Sequence, residues 1–262
     1  MAPVRYDLAV ASWRNSDVIS IVSASGSPIA YFPLDFIMKG GQPEWTYVIL
    51  AIQQITDQAI GTQWGLQDTD GQVVSAEAIP RAGKFIYGTQ VSQALMRKTV
   101  FLIHPLPEVL NTSVAINPPL QEASNFRINV IARDGTCLLT DVPHNKCTAA
   151  HIAPYSRPDV YMQLLNITYD PPLFDASCGL LLRDELHHSF DRLEWSLYHK
   201  DGSFYVHCFT LSQSEIATLH GKKISPDRFR GLEESRPDRR LVDWHYKQCL
   251  MAHIRGFSAN MD

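Results

Sequence analysis

Residues 177–191 have the sequence SCGLLLRDELHHSFD, in which an apolar run is followed at once by a polar run. The segment 179–182 is short and apolar, which is typical of a buried strand. The segment 183–193 predicts a helix, on which His187 and Asp191 stand four residues apart and share one face. An imidazole and a carboxylate placed in this way can chelate one divalent cation.

A second short strand is predicted upstream, where residues 148–155 have the sequence TAAHIAPY. A strand, a loop, a second strand and a helix, in this order, would place His151 across from a metal held by His187 and Asp191. The metal would neutralise a phosphate and stabilise the leaving oxygen, while a neutral histidine takes the proton from an attacking water. The pattern therefore indicates metal-assisted hydrolysis of a phosphodiester.

Three segments together resemble the HNH nuclease domain, also called the ββα-metal finger: CLLT at 137–140, CTAAHIAPY at 147–155 and SCGLLLRDELHHSFD at 177–191. They are most similar to a branch, common among uncharacterised fungal proteins, with the motifs A-H-I-x-P and G-L-L-L-x-x-x-L-H-x-x-F-D. The resemblance covers roughly residues 125–210. The two motifs in this order are fairly specific, whereas either one alone would be weak.

The resemblance implies a role for each matching residue. His151 corresponds to the general base, His187 to a metal ligand, and Asp191 to the second ligand on the helix. A divalent metal ion is implied as the cofactor, with magnesium expected and manganese, nickel or zinc as alternatives. His188 is expected on another face of the helix, as a surface residue or a phosphate contact.

Two positions depart from the family pattern. Cys178 stands where the family has an asparagine that braces the loop bearing the base, and a thiol is a poor hydrogen-bond partner. Asn166, in the connecting loop, is an alternative brace, although its spacing differs. Ala150 precedes the base where some relatives carry a further ligand, so water and the substrate phosphate would complete the metal's coordination.

Charge is unevenly distributed along the 262 residues, whose net charge is −4. Residues 119–218 have a balance of −5, whereas residues 219–256 have nine Lys and Arg against five Asp and Glu, a balance of +4. A polyanion would seek the second segment. The residues predicted to contact phosphates are Lys222, Lys223, Arg228, Arg230, Arg239 and Arg240.

Several other classes of protein are disfavoured. The five cysteines are few and widely spread, and no C-x-x-C pair occurs, so a disulfide scaffold and a four-cysteine zinc knuckle are not indicated. A zinc site formed by His207, Cys208, Cys137 and Cys147 is a weaker alternative, which no standard spacing supports. The absence of a long apolar run and of a signal-like N-terminus predicts an intracellular protein without a membrane span.

The fold class expected is α+β, with the ββα-metal finger embedded in a mixed domain. Three parts are predicted: a mixed α/β unit of unknown role over 1–118, the HNH-like domain over 119–211, and a basic helical segment over 212–262 that packs on it. Within them we expect two strands in 17–34, a helix over 43–61, a strand beginning at 126, a hairpin over 195–209 and a last helix in 238–257.

Two hypotheses about function follow. The first is a metal-dependent HNH endonuclease that hydrolyses DNA, or less readily RNA. The second is a catalytically weak or inactive protein that keeps the fold for nucleic-acid binding or regulation. Cys178 and the acidic balance of residues 119–218 favour the second, while His151, His187 and Asp191 favour the first.

Overall fold

The computed structural model describes residues 6–56, 64–89, 120–168, 171–211 and 214–255. The chain divides into two compact units. The first comprises residues 1–110, 209–211 and 250–262, and the second comprises residues 111–208 and 212–249. The fold is α+β, as predicted. The assignment of separate roles to 1–118, 119–211 and 212–262 stays a prediction.

The first unit is built on a four-stranded mixed sheet. Its strands are β1 (Val18–Ser23), β2 (Pro28–Pro33), β3 (Trp64–Asp68) and β4 (Gly83–Thr89), in the order β2-β1-β4-β3. β1 pairs antiparallel with β2 and parallel with β4. The predicted strands in 17–34 are confirmed.

Three helices accompany this sheet: α1 (Ala9–Ser12), α2 (Leu34–Lys39) and α3 (Trp45–Thr56). α3 confirms the helix predicted from residue 43, of which residues 57–61 lie outside the described part of the chain. Its buried face carries Trp45, Val48 and Ile52, which recur at helical spacing. The Trp45 ring packs edge-on to Phe85 of β4, with ring centroids 4.5 Å apart.

From residue 120 onward, the chain forms small sheets and helices. The strands are β5 (Cys147–His151), β6 (Gly179–Arg183), β7 (Trp195–Lys200), β8 (Ser203–Cys208) and β9 (Lys223–Ile224). The helices are α4 (Leu120–Asp134), α5 (Pro158–Leu165), α6 (Asp184–Asp191), α7 (Ser214–Ala217) and α8 (Arg239–His253). β5 and β6 form one antiparallel pair, and β7, β8 and β9 form a three-stranded antiparallel sheet.

The strand predicted to begin at residue 126 is wrong, because those residues belong to helix α4. Phe126 and Val130 are buried, four residues apart on one face, whereas Ile128 between them is 58% exposed. The alternation of apolar and polar residues in FRINV imitates a strand. A helix forms instead because the face that carries Phe126 and Val130 packs against β5 and β6.

The predicted hairpin over 195–209 is confirmed as β7 and β8, which turn at Asp201 and Gly202. Both turn residues have positive φ, 50° and 72°, as a two-residue type I′ turn requires. The last predicted helix is confirmed as α8. The segment before it is mostly not helical, because β9 pairs with β8 and two 3₁₀ turns follow.

No helix within the described ranges has both the length and the apolar character needed to cross a bilayer.

Candidate active site

A continuous strand-strand-helix frame forms the candidate site. β5 runs antiparallel to β6, with His151 opposite Gly179, and α6 begins directly after β6 at Asp184. All residues of β6 except Arg183 are buried, which explains its uninterrupted apolar sequence. The two strands and the helix predicted from the sequence are therefore present in the predicted order.

His151 is the last residue of β5 and is half-buried. Its Nε2 atom lies 2.8 Å from the carbonyl oxygen of Leu173. Because a carbonyl oxygen only accepts, the neutral ring carries its hydrogen on Nε2, and Nδ1 keeps a free lone pair. The basic atom of the imidazole is therefore Nδ1.

Aromatic rings surround the His151 imidazole. Phe126 of α4 stacks on it, with centroids 4.3 Å apart and planes at 15°. Tyr155 and Phe174 lie farther away, with ring centroids at 5.8 and 6.1 Å. Packing of this kind fixes the ring plane and removes water from one face of the imidazole.

Gly179 makes room for this stack. A Cβ at residue 179 would lie 2.4 Å from the Phe126 Cζ atom and 3.0 Å from the Ala150 carbonyl oxygen. Both distances are shorter than normal van der Waals contact. Any other residue at 179 would therefore displace the ring that covers His151.

The exposed face of α6 carries His187 and Asp191. The His187 Nε2 atom lies 3.2 Å from the Asp191 Oδ2 atom, as i, i+4 spacing on a helix allows. The hydrogen bond to Asp191 raises the pKa of His187, and burial opposes it. These two residues, predicted to share one face, do so.

His188 is also close to this pair, although helix geometry alone placed it on another face. Its ring lies parallel to that of His187, with centroids 5.6 Å apart. Ligand atoms of His187, His188 and Asp191 all lie within 4.8 Å of one another. His188 was not among the predicted ligands, and its adjacency to His187 in sequence was the only available signal.

This donor set suits a divalent cation. Two imidazole nitrogens and a carboxylate oxygen are common ligands, and donors bound at 2.0–2.2 Å to one ion lie about 3–4 Å apart. The ligand atoms here lie up to 4.8 Å apart, so side-chain rotation would have to bring them closer to share one ion. Three protein ligands leave positions for water and a substrate oxygen.

His151 and the α6 cluster influence each other electrostatically. Burial is the main cause that lowers the pKa of His151, and the nearby charge of His187 lowers it further. The hydrogen bond to Leu173 and the negative charge of Asp191 both raise the pKa of His151. His187 and Asp191 are therefore near enough for their charges to act on the imidazole. His151 on β5 and His187 and Asp191 on α6 thus belong to one ββα frame.

Cys178 is hydrogen-bonded to Pro172, the residue before the Leu173 that accepts the His151 hydrogen bond. It is fully buried, and its thiol donates to the carbonyl oxygen of Pro172 with Sγ at 3.0 Å. Its own carbonyl oxygen accepts from the backbone N–H of Ile152 at 2.8 Å. Burial raises the pKa of Cys178 to about 12, so the thiol keeps its hydrogen.

Asn166, the alternative brace, has a different role. It ends helix α5 in the left-handed conformation, with φ of 57°, and is exposed. Asparagine tolerates this conformation well, which explains its position. The side-chain hydrogen bond from this region to the loop comes instead from the Cys178 thiol, which donates to Pro172.

The alternative zinc site does not form within the described residues, where the α6 cluster is the one group of three or more candidate ligands. All five cysteines are free and buried. The Cys208 thiol faces the Ile216 carbonyl oxygen at 3.2 Å, and the Cys147 thiol faces that of Pro143 at 3.4 Å. These cysteines are core residues.

A family model described as HNH endonuclease matches residues 137–198. This segment, the HNH region, covers about a quarter of the chain and includes β5, β6 and α6. No curated protein and no solved structure matches the chain.

Two of the predicted phosphate-binding cations bind backbone carbonyls close to the HNH region. The Lys222 ammonium donates to the Leu139 carbonyl oxygen at 2.6 Å. The Arg228 guanidinium donates to the Asp134 carbonyl oxygen at 2.6 Å and to the Thr136 hydroxyl at 2.8 Å. Arg228 thus satisfies groups at the C-terminal end of α4.

Two more of these cations form ion pairs on α8 or at its start. Arg239 pairs with Asp243 at 3.2 Å, and Arg240 pairs with Asp238 at 2.6 Å. The remaining two, which are exposed, are Lys223 and Arg230. Phosphate binding by the six stays a prediction, for which Lys223 and Arg230 are the best placed.

Proposed function

We propose that this protein is a metal-dependent HNH endonuclease that hydrolyses phosphodiester bonds in DNA, and RNA less readily. The observation that carries the proposal is the ββα frame, in which His151 ends β5 and the candidate ligands His187, His188 and Asp191 lie on α6, with His187 and Asp191 acting electrostatically on His151. The match of residues 137–198 to the HNH endonuclease family supports it.

His151 acts as the general base. Its Nδ1 atom, left free by the Nε2 hydrogen bond to Leu173, accepts the proton of the attacking water. Because burial lowers the pKa of His151, the imidazole is neutral at pH 7. The Phe126 stack and the Leu173 carbonyl hold the ring so that it does not have to be ordered during the reaction.

His187, His188 and Asp191 would hold a divalent cation. When bound there, a divalent ion supplies charge for the scissile phosphate and for the leaving oxygen. Magnesium fits a site with one carboxylate and several waters, whereas two imidazoles favour manganese, nickel or zinc. We therefore extend the proposed ligand set to His188 and expect a transition metal to bind more tightly than magnesium.

Cleavage assays test this function directly. Purified protein is incubated with supercoiled plasmid, single-stranded DNA and RNA, in the presence of Mg²⁺, Mn²⁺, Ni²⁺, Zn²⁺ or a chelator. We expect metal-dependent nicking of the plasmid that the chelator abolishes. Intact substrates under every metal condition would contradict the proposal.

A second candidate is a protein that binds nucleic acid without cutting it. Cys178, in place of the asparagine of the family, and the −5 balance of residues 119–218 favour this alternative. It predicts binding of DNA in mobility-shift assays together with the absence of cleavage. The same preparations therefore distinguish the two functions.

A further inference from the structure

Arg133 and Asp134, at the end of α4, form a buried ion pair. The Arg133 Nε atom lies 2.6 Å from Asp134 Oδ1, and its terminal nitrogen lies 2.8 Å from Asp134 Oδ2. Their side chains are 1% and 0% exposed. Charged groups are rarely buried so completely unless further hydrogen bonds satisfy them.

Those further bonds go to both sides of Cys178. The Arg133 guanidinium donates to the carbonyl oxygens of Ala176 at 2.6 Å and Gly179 at 2.7 Å. It also donates to the Ser235 carbonyl oxygen at 2.9 Å. The planar fork of arginine spreads five N–H donors over three nitrogens and reaches acceptors on several sides, whereas the three N–H donors of lysine lie on a single nitrogen.

Asp134 holds the next residues of β6. Its Oδ2 atom accepts from the backbone N–H of Leu181 at 3.0 Å. The ion pair therefore fixes the backbone from Ala176 to Leu181, the segment that contains Cys178. On the same side, the Leu181 carbonyl oxygen accepts from the backbone N–H of Leu138 at 2.8 Å, so Asp134 supplies the partner that the Leu181 N–H needs.

Residues 176–181 are connected to His151 by two sets of hydrogen bonds. The Cys178 carbonyl oxygen accepts from the backbone N–H of Ile152, the residue after His151. The Cys178 thiol donates to Pro172, and the next carbonyl, that of Leu173, accepts from His151 Nε2. The backbone after His151 is thus bonded to a residue that the ion pair holds, and the His151 ring is connected to the same residue indirectly, through Leu173, Pro172 and the Cys178 thiol.

We propose that Arg133 and Asp134 are positioning residues for His151. The pair orients residues 176–181, so that Cys178 and Leu173 present the imidazole with Nδ1 free. It contributes from α4 the bracing that the resembling family obtains from the asparagine at the Cys178 position. The part that concerns catalysis rests on the proposed nuclease function.

The test compares Arg133→Lys with Tyr246→Phe in the full-length protein. Lysine keeps the charge but cannot bind Asp134, Ala176 and Gly179 together. Tyr246→Phe is a matched control, because it removes a buried 2.6 Å hydrogen bond to His207 away from residues 172–181. Nitrogen-15 NMR reports the His151 tautomer, amide exchange reports the Ile152 N–H, and calorimetry reports Mn²⁺ affinity.

With Arg133→Lys, at a temperature where both variants are folded, we expect a mixture of His151 tautomers and faster exchange of the Ile152 N–H. The cleavage rate should fall about 10- to 100-fold, as loose presentation of a catalytic group implies, with Mn²⁺ affinity unchanged. Tyr246→Phe should lower the melting temperature while leaving the His151 tautomer and Ile152 exchange as in the wild type.

Wild-type tautomer and exchange in Arg133→Lys would overturn the proposal. If Arg133→Lys does not fold, Asp134→Asn serves in its place, since its amide oxygen can still accept from Leu181 but cannot balance the Arg133 charge. If the wild type fails to cut nucleic acid, the proposed nuclease function is contradicted. The tautomer of His151 and the exchange rate of the Ile152 N–H then still show whether Arg133 positions His151.

Discussion

The Nε2 atom of His151 donates a hydrogen bond to the carbonyl oxygen of Leu173 across 2.8 Å. This bond selects one tautomer and leaves Nδ1 as the only basic ring nitrogen. His151 and Leu173 are 22 residues apart in sequence, so the bond depends on the loop between β5 and β6 being correctly folded. The tautomer of the proposed base therefore depends on the anchoring of that loop.

The rate of cleavage should depend on pH through His151. Burial lowers its pKa below the ordinary value of 6.5, and a cation on α6 would act in the same direction. The neutral form is the proposed active one, so the rate should reach its plateau at high pH and fall as the pH drops through a pKa that lies below 6.5. Single-turnover rates at saturating metal measure this, and a midpoint above pH 7 would contradict it.

His188 should be a metal ligand alongside His187 and Asp191. His188→Ala should weaken Mn²⁺ binding at least about 10-fold, a loss that even supporting residues around metal sites produce. Isothermal titration calorimetry measures the Mn²⁺ affinity. Glu185→Gln is the control, because it changes a side chain on the same helix that lies outside the cluster of three candidate ligands. Equal Mn²⁺ affinity in His188→Ala and the wild type would exclude His188 from the site.

The Cys178 thiol should support catalysis through its hydrogen bond to Pro172. Cys178→Ala should slow cleavage, whereas Cys208→Ala should not, although it too removes a buried thiol that faces a carbonyl oxygen. Both should be less stable than the wild type. Equal cleavage rates in the two variants, measured well below their melting temperatures, would show that the hydrogen bond from the Cys178 thiol to Pro172 does not affect catalysis.

The Cys178→Asn variant tests whether the loop that accepts the His151 hydrogen bond already has a sufficient brace in the Cys178 thiol or lacks the asparagine brace of the family. Because the thiol is fully buried and bonded, we expect the larger amide to leave a polar group unpaired, at a cost of about 1–3 kcal/mol, without faster cleavage. Rate and melting temperature of this variant are measured together. Faster cleavage would instead show that the loop lacks the brace that asparagine supplies in the family.

Gly179→Ala should disturb the His151 stack. The new methyl group would collide with Phe126 and with the Ala150 carbonyl oxygen, so we expect a loss of about 1–3 kcal/mol in the free energy of unfolding. Gly88→Ala is the matched control, since a Cβ at this strand glycine meets no atom within 4 Å. Urea unfolding of both variants checks this, and equal stability would contradict the crowding.

Much of the frame could be predicted because local pattern and tertiary structure agree there. The strands bearing His151 and Gly179 and the helix bearing His187 each follow from hydrophobic pattern and turn residues. Helix α4 was mistaken for a strand, since Ile128 repeats the apolar character of Phe126 and Val130 at a period of two. Only the packing of its neighbours shows that Ile128 faces solvent.

Other parts of the site depend on contacts between distant segments. No motif around Arg133 indicates that its guanidinium reaches the carbonyl oxygen of Gly179, 46 residues away. The stack of Phe126 on His151 likewise joins residues that have no shared motif. The positive balance of residues 219–256 suggested phosphate contacts, and four of the six predicted cations have intramolecular partners that charge counting cannot reveal.

We propose His151 as the general base of a metal-dependent nuclease. The most direct test is the single-turnover rate of plasmid nicking by His151→Ala at saturating Mn²⁺, beside His144→Ala, which removes an exposed histidine of the HNH region. We predict that His151→Ala is about 10²- to 10⁴-fold slower with unchanged Mn²⁺ affinity, while His144→Ala keeps the wild-type rate. A His151→Ala variant that nicks DNA as fast as the wild type would contradict the claim.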